Sequence, residues 1–204
     1  VNVGGASAGA VGLADYTTQA DGQADSGGVD LGYHQTDGVD PAAADLYVAE
    51  DGDDGRSGTT WATSLRTISS ALALAQAGTR IHVGAGTYST NSLERFPLVL
   101  NKAGIQVLGI GATGTVIDAA GSGQNVVLVD GVGGDGRIEG VTITGGYATN
   151  VLEVGQYGYG GGLNIRNSTL TVAGCRVSSN WAVARAQYNY VTTQGGGIFA
   201  QNSA

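Results

Sequence analysis

Asp51-Gly52-Asp53-Asp54-Gly55 sets three carboxylates within five residues, and that spacing is half of a calcium loop. Calcium favours oxygen ligands, but an EF-hand loop closes on a bidentate Glu at its twelfth position. Counted from Asp51, that position is Ala62. Asp51, Asp53 and Asp54 therefore read first as Asx-turn residues, with calcium the one cofactor they leave open. Beyond Arg56 the acids are Glu94, Asp118, Asp130, Asp135, Glu139 and Glu153, with no D-x-D or D-D pair among them. A glycosidase needs two carboxyls about 5–10 Å apart. Asp118 and Asp130 end successive predicted strands, so they are expected to stack on one face. No catalytic residue is assigned.

The remaining reactive side chains are few. His82 alternates with Ile81 and Val83, so it should point outward or pack on a cap; His34 stands alone. Cys175 is the single cysteine, which excludes a disulfide framework and a cysteine zinc site, and it reads as a small buried hydrophobe. Tyr147, Tyr157, Tyr159, Trp181, Tyr188 and Tyr190 flank two long insertions at 146–159 and 182–194. Exposed rings there suit either a lateral contact or stacking on sugar rings. Two G-x-G-x-x-G strings, 109–114 and 131–136, are followed by strand patterns rather than the helix that a dinucleotide phosphate requires, so both read as turns. Asn167-Ser168-Thr169 matches a glycosylation sequon and reads as a coil corner.

These residues sit in an unusual chain. It has 37 glycines and 2 prolines in 204 residues, against an average glycine share of about 7%. No run is long and apolar enough for a membrane-spanning helix. No Met occurs, so position 1 is expected to be a processed end or a cut inside a longer chain. Eleven acids and no Lys or Arg precede Arg56; from Arg56 onward there are nine bases and six acids. A net charge of −8 argues against nucleic-acid binding, which needs a basic face.

The apolar pattern divides the chain in two. Residues 1–44 read as an extended acidic arm, with Val29, Leu31 and Tyr33 alternating as one short strand. Residues 45–204 read as a folded domain. Leu46–Ala49 is a strand. From 64 to 77, Leu65, Ile68, Leu72 and Ala75 recur at helical spacing, with Thr63 or Ser64 as N-cap and Gly78 as C′. After Thr79 only short strands are predicted, including Arg80–Val83, Pro97–Leu100, Thr115–Asp118, Arg137–Thr144, Leu163–Ile165 and Ile198–Ala200.

A repeat organises these strands. Gly160-Gly161-Gly162-Leu163 is echoed by Gly195-Gly196-Gly197-Ile198, and Gly140–Thr144 by Gly174–Ser178, at nearly the same period. Units that recur at this interval stack as coils, because one coil cannot bury its own inward side chains. Asn167, Asn180 and Asn202 are placed at coil corners, where Asn tolerates left-handed backbone.

Tyr47-Val48-Ala49, Gly52 to Gly58, Thr60-Trp61-Ala62-Thr63-Ser64-Leu65-Arg66-Thr67-Ile68, Ala71-Leu72, Ala77-Gly78, Ile81-His82-Val83 and Gly86-Thr87-Tyr88 together resemble the opening of right-handed parallel β-helix proteins of the pectin-lyase-like superfamily. The resemblance implies that the helix caps the solenoid's N-terminal end and that Gly-Thr-Tyr ends the first coil strand. The glycine-triplet coils resemble later coils of bacterial surface and polymorphic outer-membrane-type members. Asp25 to His34 is similar to segments that close β-helix modules in large secreted bacterial proteins; an aromatic often follows the His there, and Gln35 stands here. In lyases of the superfamily a basic residue takes the proton, a role for which Arg137 and Arg166 are the candidates.

The fold expected is all-β: a right-handed single-stranded parallel β-helix of five or six coils, with one N-terminal capping α-helix and an extended N-terminal arm. The role expected is a structural extracellular or cell-surface protein of a bacterium or archaeon that self-associates head-to-tail into filaments. Val29, Leu31 and Tyr33 of the arm would meet Gly196, Gly197, Ile198, Phe199 and Ala200 at a neighbour's open end. The alternatives are a polysaccharide lyase or carbohydrate-binding β-helix module, and an adhesin module of a larger tandem protein.

Overall fold

The computed structural model describes residues 45–148, 157–183 and 192–204. The arm, residues 1–44, with Val29, Leu31, Tyr33 and His34, lies outside the described residues. So do Glu153, Tyr188 and Tyr190.

The chain opens with β1 (Asp45–Val48), an irregular turn, a 3₁₀ turn at Trp61–Thr63 and the helix α1 (Ile68–Leu74). Four coils of three strands follow. The first holds β2 (Arg80–Val83), β3 (Gly86–Ser89) and β4 (Leu98–Leu100), and the second β5 (Gln106–Gly109), β6 (Thr115–Asp118) and β7 (Val127–Asp130). The third holds β8 (Arg137–Glu139), β9 (Thr142–Thr144) and, beyond the inserted strands β10 (Tyr147–Ala148) and β11 (Tyr157–Tyr159), β12 (Leu163–Arg166). The fourth repeats that plan with β13 (Thr171–Ala173), β14 (Arg176–Val177), β15 (Trp181–Ala182), β16 (Thr192–Gln194) and β17 (Ile198–Gln201).

Every strand pairs in parallel with its counterpart in the neighbouring coil. One sheet runs β1-β2-β5-β8-β13, a second β3-β6-β9-β14 and a third β4-β7-β12-β17. The inserted strands pair separately, β10 with β15 and β11 with β16. This is a parallel β-helix. The glycine-triplet repeat sets the register directly, with Leu163 paired to Ile198 and Arg176 to Thr142.

Alternation places one side chain in two inside each coil. Leu46, Ile81, Val107 and Ile138 form one buried row, Tyr88, Ile117 and Ile143 a second, and Leu98, Val127 and Leu163 a third. Each coil buries its aliphatic residues against those of the coil above and below, so the core is continuous along the stack. Tyr88 is fully buried, with its hydroxyl 3.3 Å from the carbonyls of Val48 and Gly84. Burial, with Glu50 and Glu94 nearby, pushes its hydroxyl far above the ordinary tyrosine value.

Several expectations are corrected. Four complete coils lie among the described residues, against the five or six expected. The helix spans Ile68–Leu74 rather than 64–77, and its N-cap is Thr67. Leu65 lies in extended chain and bridges Val48 in parallel, which removes 64–66 from the helix. Gly78 has the expected positive φ of 76° but turns the chain into β2 rather than capping the helix, which ends at Ala75. The segment Arg137–Thr144 breaks into β8 and β9 at Gly140, whose φ of 64° bends the coil. Gly86-Thr87-Tyr88 opens its own strand, β3, instead of ending the preceding one.

Candidate functional site

The two ends of the stack differ in how their backbone groups are satisfied. At the β1 end a covering layer is built from turn and helix. Leu65 donates to Tyr47 O and accepts from Ala49 N, both at 2.9 Å, and Tyr47 N donates to Gly58 O at 2.7 Å. The outer edge of β1 is thereby used. Glu50 Oε1 accepts from Thr87 N at 2.6 Å beside β3. The helix α1 lays Ile68, Ala71 and Leu72 on the core, next to β4.

That helix carries unusually complete capping. A helix start leaves four N–H donors without partners. Here Ile68 N and Ser69 N donate to Glu94 at 2.7 and 2.9 Å, and Ser70 N donates to the Thr67 hydroxyl at 3.2 Å. Asp54 Oδ1 accepts from Arg66 N and Thr67 N at 2.9 Å each, and its Oδ2 accepts the Thr67 hydroxyl. Burial alone would raise the Asp54 pKa, but the hydrogen bonds from Thr67 and Arg66 outweigh it and hold it below the ordinary value. Glu94 is 4% exposed. At the other terminus Lys102 Nζ donates to Leu72 O at 2.6 Å, a cation where the helix dipole favours one.

At the opposite end, β13, β14 and β17 are the outermost strands of their sheets among the described residues. Val172 continues the row of Ile138 and Ile198 continues the row of Leu163. Yet Val172 is 37% and Ile198 48% exposed, where their inner counterparts are 1% and 0%. Fully burying such a side chain contributes about 1.5–3 kcal/mol. Cys175, expected to be buried, is only half-buried for the same reason: it belongs to the outermost coil.

One corner is built as a side-chain ladder. Asn167 Nδ2 donates to Asp130 Oδ1 at 3.2 Å, and Asn202 Nδ2 donates to Asn167 Oδ1 at 3.3 Å. Beside it Val132 N donates to Ser168 Oγ at 3.0 Å and Ser168 N donates to Ser203 Oγ at 3.2 Å. Asn167 and Asn202 adopt the predicted left-handed conformation, with φ of 48° and 50°. Asn180 does not. Ser179 takes the positive φ there, and Asn180 instead accepts from Gly146 N and donates to Ile143 O.

The aromatic residues divide into separate groups. Tyr147 and Trp181 are paired in register on β10 and β15, and Trp181 is 55% exposed. Tyr159 stacks on Phe199 with centroids 4.4 Å apart, and the Arg166 guanidinium lies 5.9 Å from the Tyr159 centroid. Arg166 Nε also donates to Asn164 Oδ1. Tyr157 lies on β11. A third group, not singled out by the sequence, surrounds β1: Tyr47 stacks on His82 and meets Trp61 edge-on. His82 thus lies on the outer face, 3.0 Å from Asp45, which also accepts from Arg80. Burial would raise the Asp45 pKa, but hydrogen bonds from His82 and Arg80 lower it overall.

The carboxylates do not converge. Asp118 ends β6 and Asp130 ends β7, strands of different sheets, so they do not share a face as expected. Three sheets per coil send successive strand ends in different directions. Asp118 accepts from Ala120 N in a turn, Asp53 from Gly55 N, and Glu139 is ion-paired with Arg137. Asp51 is exposed. Among the described residues no three His, Cys, Asp or Glu side chains gather as a metal-binding group, and no helix is long and apolar enough to cross a membrane. The capping pair Asp54 and Glu94 was not legible beforehand. They stand 40 residues apart in sequence, and only the packing of coil on cap brings them to one helix.

A family profile described as "Protein of unknown function (DUF1565)" matches residues 50–204. No curated protein and no solved structure matches the chain.

Proposed function

Because the chain belongs to the DUF1565 family, whose description assigns no activity, we propose its role from the solenoid: a structural, extracellular or cell-surface protein that assembles head-to-tail. The β-helix is of the pectin-lyase-like kind. One end is sealed against further pairing, and the other offers strands to a neighbour. The N-terminal arm of one subunit contacts the β13-β14-β17 end of the next. The observation that carries this reading is that equivalent strands of successive coils pair in parallel and in one register, Leu163 with both Val127 and Ile198. Strand edges that pair in this way are templates for strand addition.

The test is deletion of residues 1–40, followed by electron microscopy and sedimentation velocity beside the full chain. The full chain should form filaments or a concentration-dependent series of oligomers, and the deletion should sediment as a monomer with its β-sheet circular dichroism intact. Equal assembly of both would overturn the reading.

A second reading rests on the in-register pair Tyr147 and Trp181. Aromatic side chains in register along a solenoid flank, a half-exposed Tyr147 beside an exposed Trp181, suit the faces of successive sugar units. Retardation in gels containing pectate or alginate, lost in Trp181→Ala, would support a carbohydrate-binding module.

A further inference from the structure

The seal at the β1 end is complete on two sheets and has a gap on the third. Tyr47 uses both outward backbone groups of β1, donating to Gly58 O and accepting from Leu65 N. On β3, Thr87 N donates to Glu50, Ser89 N donates to Ser92 Oγ at 2.7 Å, and Ser89 O accepts from Glu94 N at 2.9 Å. The corresponding strand of the third sheet is β4, which has β7 on one side only. Leu98 N donates to Val126 O, so Leu98 turns its backbone groups toward β7. Alternation along a parallel strand then turns Val99 N–H and C=O the other way. No described residue meets either group.

A trough runs along that edge. Two adjoining depressions, of about 310 and 560 Å³, share Ser69, Ala73 and Arg95. The smaller lies between Leu72 of α1 and Val99 of β4, and Lys102 bridges the two walls through its bond to Leu72 O. Ser69 and Ala73, both short, form the helical wall. Val99 adds an apolar side chain that is 41% exposed. Where the depressions meet, the Arg95 side chain is exposed and has neither an ion pair nor a hydrogen bond among the described residues. The carboxylates nearest to it in the cap are engaged by backbone donors, Glu94 by Ile68 N, Ser69 N and Arg95 N, and Asp54 by Arg66 N and Thr67 N.

We propose that this trough binds an extended acidic segment of a partner protein by strand addition to β4. One carbonyl of the segment accepts from Val99 N–H and one of its N–H groups donates to Val99 O, so the bound main chain continues the sheet. The residue beside Val99 is apolar and β-branched and packs on its exposed side chain. A carboxylate further along meets the Arg95 guanidinium, whose planar fork matches two oxygens. The pairing is short, because Pro97 has no N–H to donate and Lys102 ties the strand to the helix just beyond β4. Two main-chain hydrogen bonds and one charge suit a reversible partner. A further coil is excluded, since α1 already lies on the core. The site is independent of head-to-tail assembly.

Fluorescence anisotropy with the full chain tests this. The probe is a labelled octapeptide of alternating valine and threonine with one central glutamate. Wild type should bind it saturably. Val99→Pro should weaken binding about tenfold or more. Its urea midpoint should match wild type, because the Val99 N–H takes no part in the fold and edge strands tolerate proline. Arg95→Gln should weaken binding several-fold and remove most of its salt dependence. The same peptide N-methylated at every residue has no N–H to donate and should not bind. Should Val99→Pro lower the midpoint, the N-methylated peptide decides alone. No saturable binding by wild type overturns the proposal, as does equal binding of the N-methylated peptide. Binding lost in Arg95→Gln but unchanged in Val99→Pro would show an anion held by one side chain, and overturns strand addition. Sedimentation of the unliganded chain, which decides head-to-tail assembly, moves none of these readouts.

Discussion

At the β1 end of the solenoid, the helix α1 covers the core, and its first N–H groups are taken by Glu94 and Thr67, with Asp54 beside them. At the β17 end, Ile198 and Val172 stand exposed in rows that are otherwise dry. An outermost strand of such a stack has spare backbone groups and an uncovered apolar row unless further chain covers it. The sealed end supplies that cover within the chain, using side chains brought from 54 and 94 onto one short helix. The other end keeps the repeat's own chemistry up to its last described residue: glycine pair, aliphatic strand, Asn-Ser corner. Among the described residues, the end that abandons the repeat pattern has its strand edge occupied by the chain's own turn, and the end that retains the pattern carries the repeat's residues on its outermost strand.

The contrast is broken most strongly at Glu94. Replacing it in Glu94→Ala leaves Ile68 N and Ser69 N without their acceptor in a buried site, at about 1–3 kcal/mol for each orphaned donor. Urea denaturation should show a loss of about 3 kcal/mol or more, and hydrogen exchange should speed first in α1. An unchanged midpoint would mean that the cap contributes little to closing that end.

A matched pair of substitutions within one row comes next. Leu163→Ala should cost about 2–5 kcal/mol, because it opens a cavity between two coils. Ile198→Ala, one rung away in register, should cost under about 1 kcal/mol, because that side chain is about half exposed. Similar losses at both positions would show that the β17 end is already covered.

Acid should act on the sealed end selectively. Asp54 binds its proton more weakly in the folded chain than in the unfolded one, because its folded pKa is lowered. It therefore adds stability above its unfolded value near 3.8, and that contribution disappears as pH falls through the folded value. Between neutral pH and pH 3 the urea midpoint should fall more in wild type than in Asp54→Asn. Parallel curves would remove Asp54 from the account of the cap.

The smallest effect concerns Leu93, which aims Glu94 inward by adopting a φ of 70° while its own side chain stays exposed. A left-handed conformation costs a non-glycine residue about 1–2 kcal/mol, offset in part by glycine's greater unfolded entropy. Leu93→Gly should therefore raise stability by about 0.5–1 kcal/mol. Destabilisation would indicate that the leucine side chain contributes packing at the cap.

Much of this architecture is written in local pattern. The interval between the glycine triplets determined which strands lie beside each other, and the alternation of Arg80–Val83 and Thr115–Asp118 determined which side chains enter the core. Stacked coils make distant pairing periodic, so a repeat in one dimension becomes register in three. The left-handed corners at Asn167 and Asn202 followed from residue type, since a short amide relieves that backbone locally. Tertiary structure alone decided the rest. Leu65 has helical spacing but pairs with β1, because an edge strand's spare donors outweigh a weak helical preference. Ser179 rather than Asn180 bends its corner, because the Asn180 amide is committed to Gly146 and Ile143. Asp118 and Asp130 part company because three sheets, not one, receive successive strands. Asp54 and Glu94 meet at one helix only after a coil has closed beneath the cap. Partnerships between residues far apart in a non-repeating segment leave no periodic trace in the sequence, and it is those partnerships that distinguish one end of this molecule from the other.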